Sequence, residues 1–234
     1  MKKYTLFFVV TLFAVNACTN SPSKYIYNKG MIYGTTYSIT YESPNGKDFQ
    51  DEITQKFNEY TLVFSTYEKE SVISKINNNQ TTELTNEFIT CFKKSMEVSE
   101  ITNGAFDIAA GAMVNAWGFG PGKQIEPDSA KIDSLRSLVG FDRIKLSDDS
   151  VTKADPRMQL DFGGIGQGYG ADVITEFLRG KGVRNMLVEV GGEGMAVGRN
   201  MKTGESWRLG ILDPTSTPEE QRFKAYVSLS DRSF

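Results

Sequence analysis

The sequence predicts a mixed fold in which helices pack on sheets. Residues 33–41, YGTTYSITY, alternate in side-chain type as a strand with two different faces does. Apolar residues recur at helical spacing over residues 48–65 and again over 86–102. Upstream of residue 159, strands and helices do not alternate regularly, so a βαβ series with a parallel sheet is not favoured. The 234 residues suffice for one large domain or two small ones.

The N-terminus has the pattern of a bacterial lipoprotein signal peptide. Lys2 and Lys3 precede a mostly apolar run from Tyr4 to Ala14. Small residues and Cys18 follow, and a cysteine directly after the cleavage site becomes diacylated in lipoproteins. We therefore expect residues 1–17 to be removed and Cys18 to be lipidated. The alternative is an ordinary secretory signal in which the cysteine occurs by chance.

Residues 18–30 are expected to form a tether between the lipid and a folded domain over residues 31–234. Small polar residues and Pro22 are typical of a short linker. The protein is then expected in the cell envelope, anchored to the inner or outer membrane and facing the periplasm. The outer membrane is slightly favoured, because Thr19 gives no aspartate-type retention cue.

Charge and residue usage exclude several classes of function. The chain has 26 Lys and Arg against 29 Asp and Glu and no basic run, which argues against nucleic acid as a partner. It contains no histidine, so Ser-His-Asp catalysis, Cys-His catalysis and imidazole metal sites are unavailable within these residues. Any metal must be a hard cation held by oxygen atoms. Cys91 is expected to pack with Phe88 and Phe92 on a helix rather than to act as a nucleophile.

An acid and a run of small residues in the middle of the chain favour a wall for a flat ligand. Asp107 precedes IAAGAM, and WGFGP follows at residues 117–121. Small residues allow close backbone approach, and aromatic rings offer flat surfaces. The alternative is a plain irregular loop with a buried tryptophan. A third helix over residues 127–139 and a hairpin over residues 141–151 are predicted next.

The stretch from Gln159 to Glu193 carries the densest local pattern. A short extended run ends at Asp161, a glycine-dense turn covers residues 163–170, and an amphipathic helix leads to a strand over Met186 to Val190. A helix that starts in a glycine turn presents unpaired backbone N–H groups and the positive end of its dipole. We therefore expect this turn to bind the pyrophosphate of a nucleotide.

Two other interpretations of the glycine turn stay open. Glycines also occur where a strand and a helix merely pack closely. The segment Gly166 to Ala171 approximates the dinucleotide fingerprint of a Rossmann oxidoreductase, and Glu189 lies about twenty residues further on. That fingerprint is expected on the first strand of a βαβ series, which this position does not provide.

Two strands are predicted near the end of the chain. Trp207 to Leu212 leads into a turn at Asp213-Pro214, and Tyr226 to Leu229 begins another strand. We expect the second strand to be unpaired, as an exposed edge prone to aggregation.

Taken together, the motifs resemble those of the bacterial ApbE family of FAD:protein FMN transferases, from about Ile32 to the last residue. Many family members are lipoproteins, which agrees with the N-terminal pattern. The motifs that carry the resemblance follow the family's order: Gly34-Thr-Thr-Tyr37, Ser65-Thr-Tyr67 with Ser71 to Asn77, Gly104-Ala-Phe-Asp107-Ile, Leu160-Asp161 with Gly168-Tyr-Gly-Ala-Asp172, Gly191-Gly192, and Trp207 through Asp213-Pro214.

The resemblance implies a two-lobed α+β fold with mixed sheets and packed helices. It also implies an enzyme that binds FAD and Mg²⁺, cleaves the pyrophosphate with release of AMP, and attaches FMN to a threonine or serine of an exported redox protein. The backbone oxygen of Gly164 would bind Mg²⁺, and no residue is assigned as catalytic. The FAD contacts that the resemblance implies are Tyr33, Tyr67, Ala105, Phe106, Asp107, Asp161 and Gln167.

Three departures from the family pattern bear on activity. Tyr33 stands where methionine is frequent, and Gln167 stands where lysine or glutamate is common. Family members continue with a histidine-containing segment and with an Asp and a Thr that complete the metal site, so we expect the domain to lack its C-terminal part. Two alternatives to transfer stay open: Mg²⁺-dependent hydrolysis of FAD to FMN and AMP, and a catalytically inactive flavin-binding lipoprotein.

Overall fold

The computed structural model of the chain describes residues 24–32, 34–122, 124, 126, 128–217 and 219–234. Helices and strands are both well represented among them, as a mixed fold requires. In chain order the elements are β1 (Lys24–Ile32), β2 (Thr35–Ser43), α1 (Gln50–Phe64), α2 (Val72–Asn77), α3 (Asn86–Ile101), α4 (Gly111–Ala116), α5 (Ser129–Arg136), β3 (Ile144–Leu146), β4 (Val151–Lys153), α6 (Gly166–Gly180), β5 (Met186–Val190), β6 (Glu193–Val197), β7 (Trp207–Leu212), β8 (Phe223–Leu229) and β9 (Arg232–Ser233).

A five-stranded sheet in the order β1-β2-β5-β6-β9 forms one side of the fold. All four strand pairs are antiparallel; for example, Ile39 of β2 pairs with Val188 of β5. This pairing contradicts the Rossmann interpretation of Gly166 to Ala171, which needs parallel strands joined by a crossover helix. Helix α6, which follows the glycine turn, leads into β5. In the large sheet β5 pairs antiparallel with β2, so α6 is not a crossover between parallel strands.

Strand β1 corrects the expected extent of the tether. We expected residues 18–30 to be a linker, but residues 24–30 belong to β1 and pair with β2 along its whole length. Ile26 and Asn28 face the buried side, and the backbone of β1 satisfies its hydrogen bonds in the ladder, so this segment is part of the fold. The signal peptide and Cys18 lie outside the described residues.

Two hydrophobic clusters form the core. One is built by α2, α3, the C-terminal half of α1 and residues 158–162. The other lies between the large sheet, the N-terminal half of α1 and α6. The predicted helices over 48–65 and 86–102 are thus confirmed as core elements, because α1 and α3 bury their aromatic faces. Cys91 is fully buried in the first cluster together with Phe88 and Phe92, as expected.

The small-residue stretch and the region after it differ from expectation in part. Residues 111–116 form the short helix α4 rather than an irregular loop. Trp117, which the loop interpretation placed in the interior, is 46% exposed. The third helix, Ser129–Arg136, is shorter at both ends than the predicted 127–139. Its start is fixed by Asp128, which caps the helix by accepting a hydrogen bond from the Lys131 amide. The hairpin predicted over residues 141–151 is present as β3 and β4, displaced by two or three residues toward the C-terminus.

Strand β8 corrects the prediction of an unpaired strand at Tyr226 to Leu229. It pairs antiparallel with β7, from Trp207 opposite Leu229 to Leu212 opposite Phe223. The Trp207 indole N–H donates to the Val197 carbonyl oxygen at 2.8 Å and joins this hairpin to the large sheet.

Among the helices that the structure describes, none has both the length and the hydropathy needed to cross a bilayer.

We predict opposite effects of alanine at two helical glycines. A Cβ atom at Gly111 would lie 2.7 Å from the Gln159 carbonyl oxygen and 2.9 Å from that of Leu160, so Gly111→Ala should lower the free energy of unfolding by about 1–3 kcal/mol. Nothing lies within 4 Å of a Cβ at Gly180, so Gly180→Ala should be neutral or stabilise by up to about 1 kcal/mol. Urea unfolding of both variants measures this, and equal stability would contradict the close packing at Gly111.

Candidate functional site

The site is organised around an extended segment, residues 158–162. Met158, Leu160 and Phe162 are buried in the first hydrophobic cluster, so the alternate residues Gln159 and Asp161 face away from the core. On one side the segment pairs with the chain that enters α4. The Asp161 amide donates to the Ile108 carbonyl at 2.8 Å, and the Gly111 amide donates to the Gln159 carbonyl at 3.0 Å. This pairing places Asp161 beside the segment that carries Phe106 and Asp107.

On its other side the segment is held by one side chain. The Asn77 amide nitrogen donates to the Leu160 carbonyl oxygen at 2.9 Å, and the Asn77 amide oxygen accepts from the Leu160 N–H at 2.7 Å. Asn77 is the last residue of α2. The two backbone groups of Leu160 are therefore satisfied by a side chain 83 positions away in sequence.

The two predicted carboxylates both bind backbone amides. One Asp107 oxygen accepts from the Ala109 amide at 2.7 Å, and the other accepts from the Phe141 amide at 2.9 Å. Asp161 accepts from the Gly163 amide at 2.7 Å. Each carboxylate thus shapes its own turn, and Asp107 also ties that turn to the chain that leads into β3.

Phe106 and the glycine turn form one wall of the site. A Cβ atom at Gly164 would lie 3.1 Å from Cε2 of the Phe106 ring, so the ring packs directly on the glycine backbone. Helix α6 begins two residues later, and no side-chain hydrogen bond caps this helix end in the described structure. The Tyr60 hydroxyl donates to the Gly166 carbonyl at 2.7 Å and holds the first turn against α1.

Gln167, in the first turn of α6, faces the turn between β5 and β6. Its amide group lies 2.7 Å from the position that a Cβ atom of Gly191 would occupy. Gly191 has φ +61°, so glycine is favoured there on backbone grounds as well. The Glu189 carboxylate accepts from the Gly192 amide at 2.6 Å and closes this turn.

Tyr67 belongs to an exposed aromatic surface. Its ring is 66% exposed, and its hydroxyl donates to the Phe119 carbonyl at 3.2 Å. Phe119 and Trp117 are themselves exposed, and they follow directly after α4. This surface therefore joins the loop before α2 to the loop after α4. The wall for a flat ligand stays a prediction. Ala105 is also exposed.

A cavity of about 250 Å³ adjoins the glycine turn. Gly164, Gly168, Lys94, Asp172 and Glu193 contribute to its lining. Burial raises the pKa of the Asp172 carboxyl, and the nearby Glu176 charge adds to the effect. A larger cavity of about 310 Å³ lies beside the end of α2 and β4, away from the glycine turn. We take the smaller cavity as part of the site because Gly164 and Gly168 of the glycine turn line it.

Oxygen donors are available for a hard cation beside the glycine turn. Mg²⁺ takes few ligands from the protein and the rest from substrate phosphates and water, and the Gly164 carbonyl with the cavity carboxylates Asp172 and Glu193 suits that chemistry. Among the described residues, however, no group of three or more His, Cys, Asp or Glu side chains converges to hold a metal. Metal binding at Gly164 therefore stays a prediction.

The structure brings together only some of the predicted site residues. Phe106, Asp107, Asp161 and Gly164 lie on two adjoining segments, and Gln167 lies in the next turn. Tyr33 lies outside the described residues, as does Cys18. Sequence reasoning did not assign a role to Asn77 or Glu193. Asn77 is the last residue of the family motif from Ser71 to Asn77, and membership of that motif was the only sequence signal for a role of this residue.

Fold and site together define an α+β protein with an antiparallel sheet, in which aromatic and carboxylate side chains surround the glycine-rich start of a helix. The family profile described as "ApbE family" matches residues 33–234. The chain therefore belongs to the ApbE family.

Curated relatives and solved structures agree with this assignment. The chain is 30% identical over 203 residues to an FAD:protein FMN transferase of Vibrio cholerae serotype O1, covering 83% of this chain and 60% of the relative. It is 30% identical over 247 residues to that of Haemophilus influenzae, covering 99% and 71%. The flavin transferase ApbE structure from Vibrio cholerae superposes with a TM-score of 0.81 at 28% identity, covering 91% of this chain and 71% of that chain. The matched part is thus well short of the relatives' full length.

We predict that Cys91 is unreactive in the folded protein. Burial raises the pKa of its thiol to about 12, so almost no thiolate, the reactive form, exists near pH 8. Native protein treated with iodoacetamide should leave the Cys91 peptide unmodified in mass spectrometry, whereas protein unfolded in urea should be alkylated there. Cys91 contributes to the lining of the cavity beside the glycine turn, so rapid alkylation of the native protein would contradict the prediction and show that the thiol is reached from that cavity.

Proposed function

We propose that this chain binds FAD and transfers FMN from it to a protein. The observation that carries the proposal is the convergence of Phe106, Asp161 and Gly164 at the start of α6, in a chain of the ApbE family. The names of the relatives, FAD:protein FMN transferases, support the same reaction.

The start of α6 suits the pyrophosphate of FAD. Backbone N–H groups at a helix start carry positive partial charge and point outward along the axis. Glycines at positions 166 and 168 add no side chains to this end. The Phe106 ring covers Gly164, and a Glu193 carboxylate oxygen lies 2.9 Å from the Cβ position of Gly168, so a bound phosphate would lie against these two side chains. Phe106 offers an aromatic face for one of the flat rings, and Asp161 offers a carboxylate that can accept hydrogen bonds from the base or the flavin.

In the proposed reaction, a threonine or serine hydroxyl of the acceptor attacks the phosphorus of the FMN half of FAD. A new P–O bond forms, the bond from that phosphorus to the bridging oxygen breaks, AMP leaves with that oxygen, and the hydroxyl proton is released. Phosphoryl transfer needs mainly positioning and stabilisation of charge, which the helix start and the surrounding turn can provide. Mg²⁺, held by the Gly164 carbonyl and the phosphates, would neutralise charge on the pyrophosphate.

The same proposal places the protein in the cell envelope. Its support is the lipoprotein pattern that ends at Cys18. A lipid on Cys18 would hold the domain at the membrane surface, facing the periplasm, where an exported acceptor is accessible.

Incubation with FAD, Mg²⁺ and an exported acceptor flavoprotein tests the reaction. We expect a fluorescent acceptor band in a denaturing gel, a mass increase of one FMN, and AMP in equal amount. An acceptor whose target hydroxyl is replaced by a methyl group is the control and should stay unlabelled. AMP release that is independent of the acceptor would indicate hydrolysis instead, and FAD binding without AMP release would reduce the function to flavin binding.

We predict that the Asp161 carboxylate contributes to FAD binding. Asp161→Asn keeps an oxygen that can accept from the Gly163 amide but removes the charge. Loss of a hydrogen bond to a charged group costs about 1.5–3 kcal/mol, so FAD affinity should fall about tenfold or more. Asp148→Asn, in the exposed turn between β3 and β4, is the matched control and should bind FAD normally in a fluorescence titration. Equal affinity of the two variants would exclude Asp161 from the binding site.

A further inference from the structure

We infer that Asn77 is a positioning residue that fixes Asp161 in the flavin site. The inference rests on the proposed function for its effect on FAD, but its structural basis is independent of it. In the described structure, the hydrogen bonds of the Asn77 side chain go to Leu160 and not to Asp161 or the glycine turn. It acts through the backbone of Leu160, the residue before Asp161.

The Asn77 side chain takes the place of a neighbouring strand. In a sheet, each extended segment exchanges one N–H and one C=O with its neighbour on each side. Residues 159–161 have a backbone neighbour on one side, where Gln159 and Asp161 pair with the chain from Ile108 to Gly111. On the other side, the N–H and the C=O of Leu160 both go to the Asn77 amide. A primary amide is suited to this role because it carries one donor and one acceptor group side by side.

The Asn77 backbone is itself held in place. The Lys153 ammonium, on β4, donates to the Ile76 carbonyl at 3.0 Å and to the Asn77 carbonyl at 3.1 Å. These carbonyls lie at the C-terminal end of α2, where helix carbonyls lack partners within the helix. The position of Asn77 is therefore set by two elements, α2 and β4, before its side chain reaches Leu160.

The hydrogen bonds at Leu160 determine the orientation of Asp161. The Leu160 side chain is 1% exposed, and residues on either side of it must point away from the core. If the Asn77 bonds are lost, two buried backbone groups lose their partners, and the segment can rotate or shift to regain them. Such a shift moves the Asp161 carboxylate and the Gly163 amide that binds it.

Replacing Asn77 with aspartate tests whether the two hydrogen bonds to Leu160 matter, because it keeps the size of the side chain and changes only its ability to donate. The ionised carboxylate that Asn77→Asp introduces would accept from the Leu160 N–H but could not donate to the Leu160 carbonyl, whereas a protonated carboxyl group can do both. The affinity of Asn77→Asp for FAD, relative to the wild type at the same pH, should be reduced about tenfold near pH 8, because the ionised carboxylate leaves the Leu160 carbonyl without a donor. Acidification should restore the second bond only below the pKa of the new carboxyl group, which burial raises and the Lys153 ammonium beside residue 77 lowers. Asn77→Ala should be weakened at every pH.

A neighbouring asparagine provides the control. Asn78 donates to the Ser74 carbonyl within the same turn of α2 and does not reach Leu160. Asn78→Asp and Asn78→Ala should bind FAD as the wild type does across the same pH range. Wild-type affinity of Asn77→Asp near pH 8, or wild-type affinity of Asn77→Ala, would overturn the inference.

Amide hydrogen exchange separates this inference from the proposed function. In Asn77→Ala, the amides of Leu160 and Gly163 should exchange faster, while those of β5 in the large sheet should keep their protection. If the wild type fails to bind FAD, the proposed function fails, but faster exchange confined to residues 159–163 would still support the positioning role. Unchanged exchange there would reject that role, whether or not FAD binds.

Discussion

The structure depends on helix α6 being shared by both hydrophobic clusters. Ile165, Tyr169 and Val173 pack against the cluster built by α2 and α3. Ala171, Ile174 and Leu178 pack against the large antiparallel sheet. Because burial on two sides removes the freedom of the helix to slide or rotate, its first turn has a fixed position relative to both layers. The glycine turn that starts α6 is therefore held at the junction of the two clusters.

A second constraint is that buried backbone groups must find partners. Residues 158–162 cross the first cluster as a single extended segment, and their hydrogen bonds go to the start of α4 on one side and to Asn77 on the other. Phe106 and Asp161 lie on adjoining segments because these bonds fix the register of two stretches that are distant in sequence. The backbone hydrogen bonds of residues 158–162 thus determine which side chains of the candidate site lie next to each other.

Much of the fold could be predicted because its signals are local. Helices α1 and α3 follow from apolar spacing, and the start of α6 follows from its glycines. The start of the folded domain was placed too late, because lysine, asparagine and glycine in β1 mask its strand pattern. The partner of β8 and the contact between Asn77 and Leu160 depend on residues far apart in sequence, which periodicity cannot reveal. Likewise, the family motifs named most of the candidate site residues without showing which of them touch.

The contact between Gln167 and Gly191 restricts which residues can occupy positions 167 and 191 at the same time. The left-handed backbone at Gly191 and the closeness of the Gln167 amide both resist a larger residue at 191. A side chain could be accommodated there only if residue 167 became smaller or turned away, and residue 167 is also a first-turn residue of α6. In relatives, residues 167 and 191 should therefore change together. A smaller residue at 167 should accompany a larger one at 191, because both share the space between α6 and the β5–β6 turn.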